Sequence, residues 1–167
     1  MTKSRSNTED FLNLFLNDIP MMDVRAAIEV NKGAFPMSVN HPLLDDEQRH
    51  EIGIRYKEAG EQEAIVLGLQ LFTPAIKAER LALWQTFCES NPDGYLFCFR
   101  GGLRSRTTQG WLSDAGIDYP LVTGGYKAMR RFLIDELDSS IKSLRMINIC
   151  GPTGSGKTRV LQHINHM

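Results

Sequence analysis

An α/β fold built on a parallel sheet flanked by helices is what this sequence predicts, on three observations. Short apolar runs, Met21 to Val24, Tyr95 to Cys98, Leu121 to Thr123 and Met146 to Cys150, are each bounded by turn or loop residues. Segments with helical spacing of apolar residues alternate with them, the order expected of parallel strands joined by helical crossovers. Two of the runs end directly in a glycine-bearing loop, and in such sheets ligand sites lie at the carboxyl ends of strands. Cys98 and Gly151 both occupy such ends.

Asn7 to Asn17, with apolar residues at 11, 12, 14, 15 and 16, predicts a helix, and Met21 to Val24 a buried strand running into Arg25. Gly33 to Pro42 holds too much Gly and Pro for a helix throughout and predicts a short second strand at Ser38 to Asn40. From Asp45 to Ser90 the period is helical, broken near Gly60 and at Thr73-Pro74, where Thr suits an N-cap and Pro the first helical position. This is a helical insert in the α/β pattern. Asn91-Pro92-Asp93-Gly94 predicts a turn before the strand Tyr95 to Cys98, and a helix is expected from about Arg104. Leu121 to Thr123 predicts a strand, Gly124-Gly125 a turn, and Tyr126 to Ser139 a helix with Met129, Phe132, Leu133 and Leu137 on its apolar face. Residues 1–144 thus form one α/β domain with an insert at about 45–90, and 145–167 hold the first strand and helix of a second, incomplete domain.

A length of 167 residues accommodates one ordinary core and a remnant, and 42% hydrophobic with 23% charged residues is the balance of a folded globular chain. No apolar run approaches a membrane span and the N-terminus lacks the apolar stretch of a secretory signal, so a cytoplasmic protein is expected. Net charge is -1, but residues 1–94 carry 9 basic and 15 acidic side chains whereas 95–167 carry 10 and 5. Anionic partners are expected to meet the second half, unless both halves are simply solvated surface. Three cysteines, Cys88, Cys98 and Cys150, make neither an even disulfide set nor a metal-ligand pair, which leaves free thiols.

Of these, Cys98 stands apart. It ends a strand and is followed by Phe99-Arg100-Gly101-Gly102-Leu103-Arg104-Ser105-Arg106, a loop closing on a helix start with no acidic residue between Tyr95 and Ser113. Loop amides and the helix end favour negative charge on the sulfur, and Arg100, Arg104 and Arg106 reinforce that field. A nucleophilic thiolate follows. The plainer reading, a buried strand cysteine, suits Cys88, which lies in a helical pattern without basic neighbours, and also Cys150, a small residue before a loop.

Gly151-Pro152-Thr153-Gly154-Ser155-Gly156-Lys157-Thr158 matches the Walker A pattern in full, between an apolar run and a helix. Backbone amides from Gly154 to Thr158 would hold phosphate oxygens, Lys157 would reach the terminal phosphates, and the Thr158 hydroxyl would ligate Mg²⁺. Nine residues follow Thr158, too few for the acidic magnesium partner or the remaining strands, so the loop is expected to be incomplete as a nucleotide site. His163 and His166, three apart with no further ligand near, predict no metal site.

Two families share the cysteine loop design. Cys98, five residues, then Arg104-Ser105 fits the phosphatase loop of protein tyrosine phosphatases, though Phe97 stands where those enzymes usually carry His. The surroundings resemble the rhodanese family more fully: Met22-Asp23-Val24-Arg25 with Glu29 and Gly33-Ala34-Phe35-Pro36, the cysteine loop, and Leu121-Val122-Thr123-Gly124-Gly125-Tyr126 before a helix, in that order. That resemblance implies a transferable sulfur carried on Cys98, Arg104 as a second anion contact, and a structural role for Asp23 and Arg25.

A rhodanese-like domain followed by a P-loop is the order of the tRNA 2-selenouridine synthases, and Tyr56-Lys57-Glu58-Ala59-Gly60 and Ala64-Ile65-Val66-Leu67-Gly68 in the insert resemble theirs. The likeness spans the chain. It implies exchange of sulfur for selenium in wobble 2-thiouridine of tRNA, with selenophosphate and geranyl diphosphate as substrates and no tightly bound cofactor. Cys98 would be the transfer nucleophile, with Arg100 and Arg104 beside it, while Gly151, Gly154, Ser155, Gly156, Lys157 and Thr158 hold a phosphate or diphosphate. A cysteine phosphatase and a noncatalytic rhodanese-like module are the alternatives.

Overall fold

A computed structural model of the protein describes residues 5–145 and 147–164. Met21–Asp23 (β1), Ser38–Asn40 (β2) and Tyr95–Phe97 (β3) form a three-stranded parallel sheet in the order β2-β1-β3. Met22 pairs with Val39 on one side and Leu96 on the other. Beyond β3, Val122 N donates to Leu96 O at 2.8 Å, and Thr8 N donates to Leu121 O at 3.0 Å. The strand expected at Leu121 to Thr123 is therefore reduced to isolated bridges, because Gly124 and Gly125 turn the chain away with φ of 78° and 58°.

Side chains alternate across β1, and both faces are covered. Met22, Val24, Leu96 and Cys98 pack with Trp84, Phe87 and Cys88 of Pro74–Ser90 (α4) and Leu112 of Leu103–Asp114 (α5). Met21 and Phe97 face the other way, onto Leu14 of Phe11–Leu16 (α1), Phe35, Val122 and Met129 of Gly125–Ser143 (α6). The first helix is shorter than its apolar pattern because Asp10 caps it, accepting from Asn13 N at 3.0 Å. On α6, Met129 is buried and Phe132 stacks on Phe15 and meets Phe11 at a tilt, but Leu133 and Leu137 are 37% and 60% exposed. The expected apolar face of that helix is thus only partly covered.

The insert is two helices, Asp46–Leu71 (α3) and α4. Asp45 caps α3 in a reciprocal pair with Gln48, and Gly60 interrupts it with φ 86°, ψ -176°. Thr73 caps α4 through Ile76 N at 3.3 Å, with Pro74 first in the helix. Trp84 anchors α4: fully buried, its Nε1 donates to His41 O at 3.0 Å. A four-residue helix, Ala27–Val30 (α2), follows β1.

The chain divides into two compact units, Met1–Leu133 and Ile134–Met167. The second holds the end of α6, the glycine-rich loop and Lys157–Ile164 (α7). The strand expected at 146–150 is not formed: residues 147–150 pair with none of the described residues and Ile147 is 91% exposed. An apolar run becomes a strand only beside a hydrogen-bonding neighbour, and Met146 itself lies outside the described residues. Among the described residues no helix is long and apolar enough to cross a membrane.

Candidate active site at the end of β3

Two glycine contacts shape the Cys98 loop. Tyr126 N and Lys127 N, at the start of α6, donate to Cys98 O and Phe99 O, both at 2.9 Å. In a trans peptide the N–H opposes the C=O, so the amides of Phe99 and Arg100 point away from α6. The backbone N–H groups of Phe99 through Ser105 have no backbone acceptor among the described residues; those of Phe99 and Arg100 are the donors left for an anion, whereas Gly101 N packs against Gly125. The close approach requires glycine. A Cβ on Gly125 would stand 2.2 Å from Cys98 O, and one on Gly101 would stand 2.7 Å from Gly124 N.

Cys98 is 3% exposed and forms the floor of a cleft of about 800 Å³ between its loop and α3. Leu43, Leu44, Ile52, Ala64, Leu69 and Phe72 supply apolar wall, and Arg49, Lys57, Arg100 and Arg104 supply positive charge against the single acid Glu61. Arg100 and Arg104 therefore both line the cleft that holds Cys98. Arg106 does not: it is exposed on the next turn and lies outside the lining.

Arg104 is held from behind. Its Nη1 and Nη2 donate to Glu29 Oε2 and Oε1 at 2.5 and 3.1 Å, and Arg49 Nε donates to the same Oε2 at 3.0 Å. Burial alone would raise the Glu29 carboxyl, but Arg104, then Arg49 and the Ala26 N–H, outweigh it and hold it below its usual value. For Arg104, burial acts to lower the guanidinium and Glu29 acts to raise it, with the net shift upward. Asp46 at the start of α3 accepts from Ile28 N at 2.9 Å, so two contacts from the first turn of α3 fix the cleft wall to α2. The role of Glu29 was not deduced from sequence. The available signal was that it is the only acidic residue between Asp23 and Asp45, inside a segment bounded by buried strands.

Asp23 and Arg25 form a fully buried pair, Arg25 Nη2 to Asp23 Oδ2 at 2.6 Å, and Arg25 also donates to Gly33 O at 3.0 Å and lies 3.8 Å from the centre of the Tyr126 ring. This is the structural role expected. Ser105 and Thr108, one turn apart on α5, are fully buried with hydroxyls that have no hydrogen-bond partner among the described residues. Cys88 is a core residue whose thiol is pushed up to about 12, by burial first and then by Glu89. Cys150 is exposed.

In the second unit the glycine-rich loop is folded on itself. Gly154 and Gly156 have φ of 84° and 80°, a Cβ on Gly151 would meet Ser155 Oγ at 2.7 Å, and Ser155 N donates to Pro152 O at 3.3 Å. Lys157 Nζ donates to Gly151 O and Pro152 O at 2.8 Å each and approaches Ser155 Oγ at 3.4 Å, and Thr158 is exposed in the first turn of α7. His163 is exposed on the same helix, and His166 lies outside the described residues.

The chain is 59% identical over 161 residues to the tRNA 2-selenouridine synthase of Marinobacter nauticus, covering 96% of this chain and 44% of that protein. The enzyme of the same name from Photobacterium profundum is 56% identical over 164 residues, covering 98% and 45%. The chain is a homologue of the tRNA 2-selenouridine synthases. It spans less than half the length of the curated relatives it matches. No family profile matches it. Among solved structures, the N-terminal domain of a protein described as ATP/GTP-binding, from Clostridium difficile 630, superposes with a TM-score of 0.68 at 26% identity, covering 77% of this chain and 98% of that one.

Proposed function

We propose that this chain supplies the chalcogen-transfer part of a tRNA 2-selenouridine synthase, with Cys98 as its nucleophile in a rhodanese-like loop. The observation that supports the reading best is Cys98 at the floor of the cleft, beneath the loop amides of Phe99 and Arg100, with Arg104 in the same lining. These groups suit an anionic persulfide or selenopersulfide and the anion that delivers it. In the full reaction the sulfur of wobble 2-thiouridine attacks C1 of geranyl diphosphate and diphosphate leaves. The Cys98 selenopersulfide then attacks C2 of the base through selenium and geranylthiol leaves, after which a small thiol attacks the Cys98 sulfur, breaking the Se–S bond to free the 2-selenouridine and leaving a mixed disulfide on Cys98. The reaction belongs in the cytoplasm, where tRNA is modified.

Gly151, Gly154, Ser155, Gly156, Lys157 and Thr158 are proposed to hold the diphosphate, with Lys157 exchanging its loop carbonyls for phosphate oxygens. Thr158 would be the hydroxyl ligand to a Mg²⁺ that accompanies the diphosphate. The test is incubation with thiosulfate and, separately, selenophosphate, followed by nonreducing peptide mass spectrometry with Cys98→Ser as control. With thiosulfate, the Cys98 thiolate takes the outer sulfur and sulfite leaves. With selenophosphate, the thiolate takes selenium only if the P–Se bond breaks with phosphite leaving, so phosphite is assayed beside the mass shift; a sulfur or selenium adduct on Cys98 alone is expected. Absence of any adduct, together with phosphate-ester turnover lost in Cys98→Ser, would replace this reading with a phosphatase.

A further inference from the structure

We propose that the cleft between α3 and the Cys98 loop is the acceptor subsite, receiving one nucleobase unstacked from its RNA while the flanking phosphates rest on Lys57, Arg49 and Arg100. The inference rests on the chalcogen-transfer reading and adds where the acceptor binds.

Size comes first. A cleft of about 800 Å³ belongs with pockets that hold whole organic ligands, about 300–1,000 Å³, whereas a tetrahedral chalcogen donor would fill only a small part of it. Whatever fills the rest must meet apolar wall and reach the thiol of a residue that is only 3% exposed. A base stacked within an anticodon loop cannot bring its C2 to such an atom and has to be turned out of the stack, as enzymes acting on bases require.

Composition comes second. Phe72 and Phe99 are aromatic residues of the cleft lining, Phe72 held edge-on to Trp111 at 4.9 Å and Phe99 stacked on Tyr126 at 6.1 Å between ring centres, and aromatic side chains are the usual partners of an unstacked base. Four basic groups against Glu61 give the lining net positive charge, which complements a phosphate backbone. Of these, Arg104 is committed to Glu29, and Arg49 shares the same carboxylate while 42% exposed. Lys57 has no ion-pair partner closer than 4 Å among the described residues, which leaves it for phosphate.

The test irradiates the full chain with an anticodon stem-loop RNA carrying 5-iodouridine at the wobble position, and with the same RNA carrying it in the stem. Crosslinked peptides are then identified by mass spectrometry. The wobble probe is expected to attach within Leu43–Phe72 or Phe99–Thr107 and the stem probe not. Lys57→Ala is expected to weaken stem-loop binding several-fold and reduce the salt slope of log K by about one. Attachment confined to 151–164, or no excess of the wobble probe over the stem probe, overturns the assignment. So does protection of the cleft peptides by geranyl diphosphate without a wobble crosslink, which would give the cleft to an isoprenoid chain. Thiosulfate loading of Cys98 is measured on the same preparation. Loading with crosslinks elsewhere removes only the acceptor subsite, whereas loss of loading removes the transfer reading beneath it.

Discussion

Replacing Glu29 by Gln should loosen the Cys98 loop and the cleft wall together, because one carboxylate holds Arg104 by two hydrogen bonds and Arg49 by a third. Hydrogen bonds to charged groups contribute about 1.5–3 kcal/mol each, and the more exposed Arg49 pair about 0–1 kcal/mol. Gln keeps one acceptor oxygen but turns an N–H₂ toward a guanidinium, so the expected cost is about 2–4 kcal/mol. Guanidinium unfolding followed by fluorescence of Trp84 and Trp111 measures it, since both tryptophans lie in the first unit. The pH dependence carries the sign. Glu29 is held below its ordinary 4.5, so its contribution is complete above about that pH and is lost as pH falls through the lower folded value. The gap between wild type and Glu29→Gln should stay constant from about pH 8 to 5 and narrow below. A gap under about 0.5 kcal/mol at pH 7, or one that widens as pH falls, would refute the reasoning.

Gly125→Ala should destabilise by at least about 1–2 kcal/mol, since φ is +58° and the new Cβ meets Cys98 O, and it should slow sulfur loading of Cys98. Thermal melting and thiosulfate labelling check the two effects. Iodoacetamide at pH 8 should label exposed Cys150 rapidly and buried Cys88 only on unfolding; peptide mapping that finds Cys88 labelled in the native chain contradicts the packing described. Tyr126→Leu removes the ring that lies 3.8 Å from the Arg25 guanidinium and should cost about 2 kcal/mol or more in the same unfolding assay.

Much of the fold was legible because its signals are local. Thr73-Pro74, Gly60 and the run Ser38 to Asn40 act through capping, backbone freedom and side-chain alternation over a few residues, and each lies where expected. Cys98 with Arg100 and Arg104 was legible for the same reason, as one strand end and one helix start. Where expectation failed, the missing ingredient was a neighbour: 147–150 has apolar strand composition but pairs with none of the described residues, and Leu137 continues an apolar stripe yet stays exposed.

By itself, then, the sequence determined the α/β class, the helical insert and the two glycine-rich loops, while the burial of the Asp23-Arg25 pair came from the structure. Only the tertiary structure decided that Glu29 joins Arg104 to Arg49 and that α3 walls a cleft over Cys98. It also placed Arg106 outside that cleft and docked Gly125 against the cysteine loop. The contacts among these join residues far apart in the chain, 75 positions in the case of Glu29 and Arg104. Hydrophobic period and turn chemistry report only near neighbours, whereas charge pairing and backbone contact across a fold are settled when the helices close on the sheet.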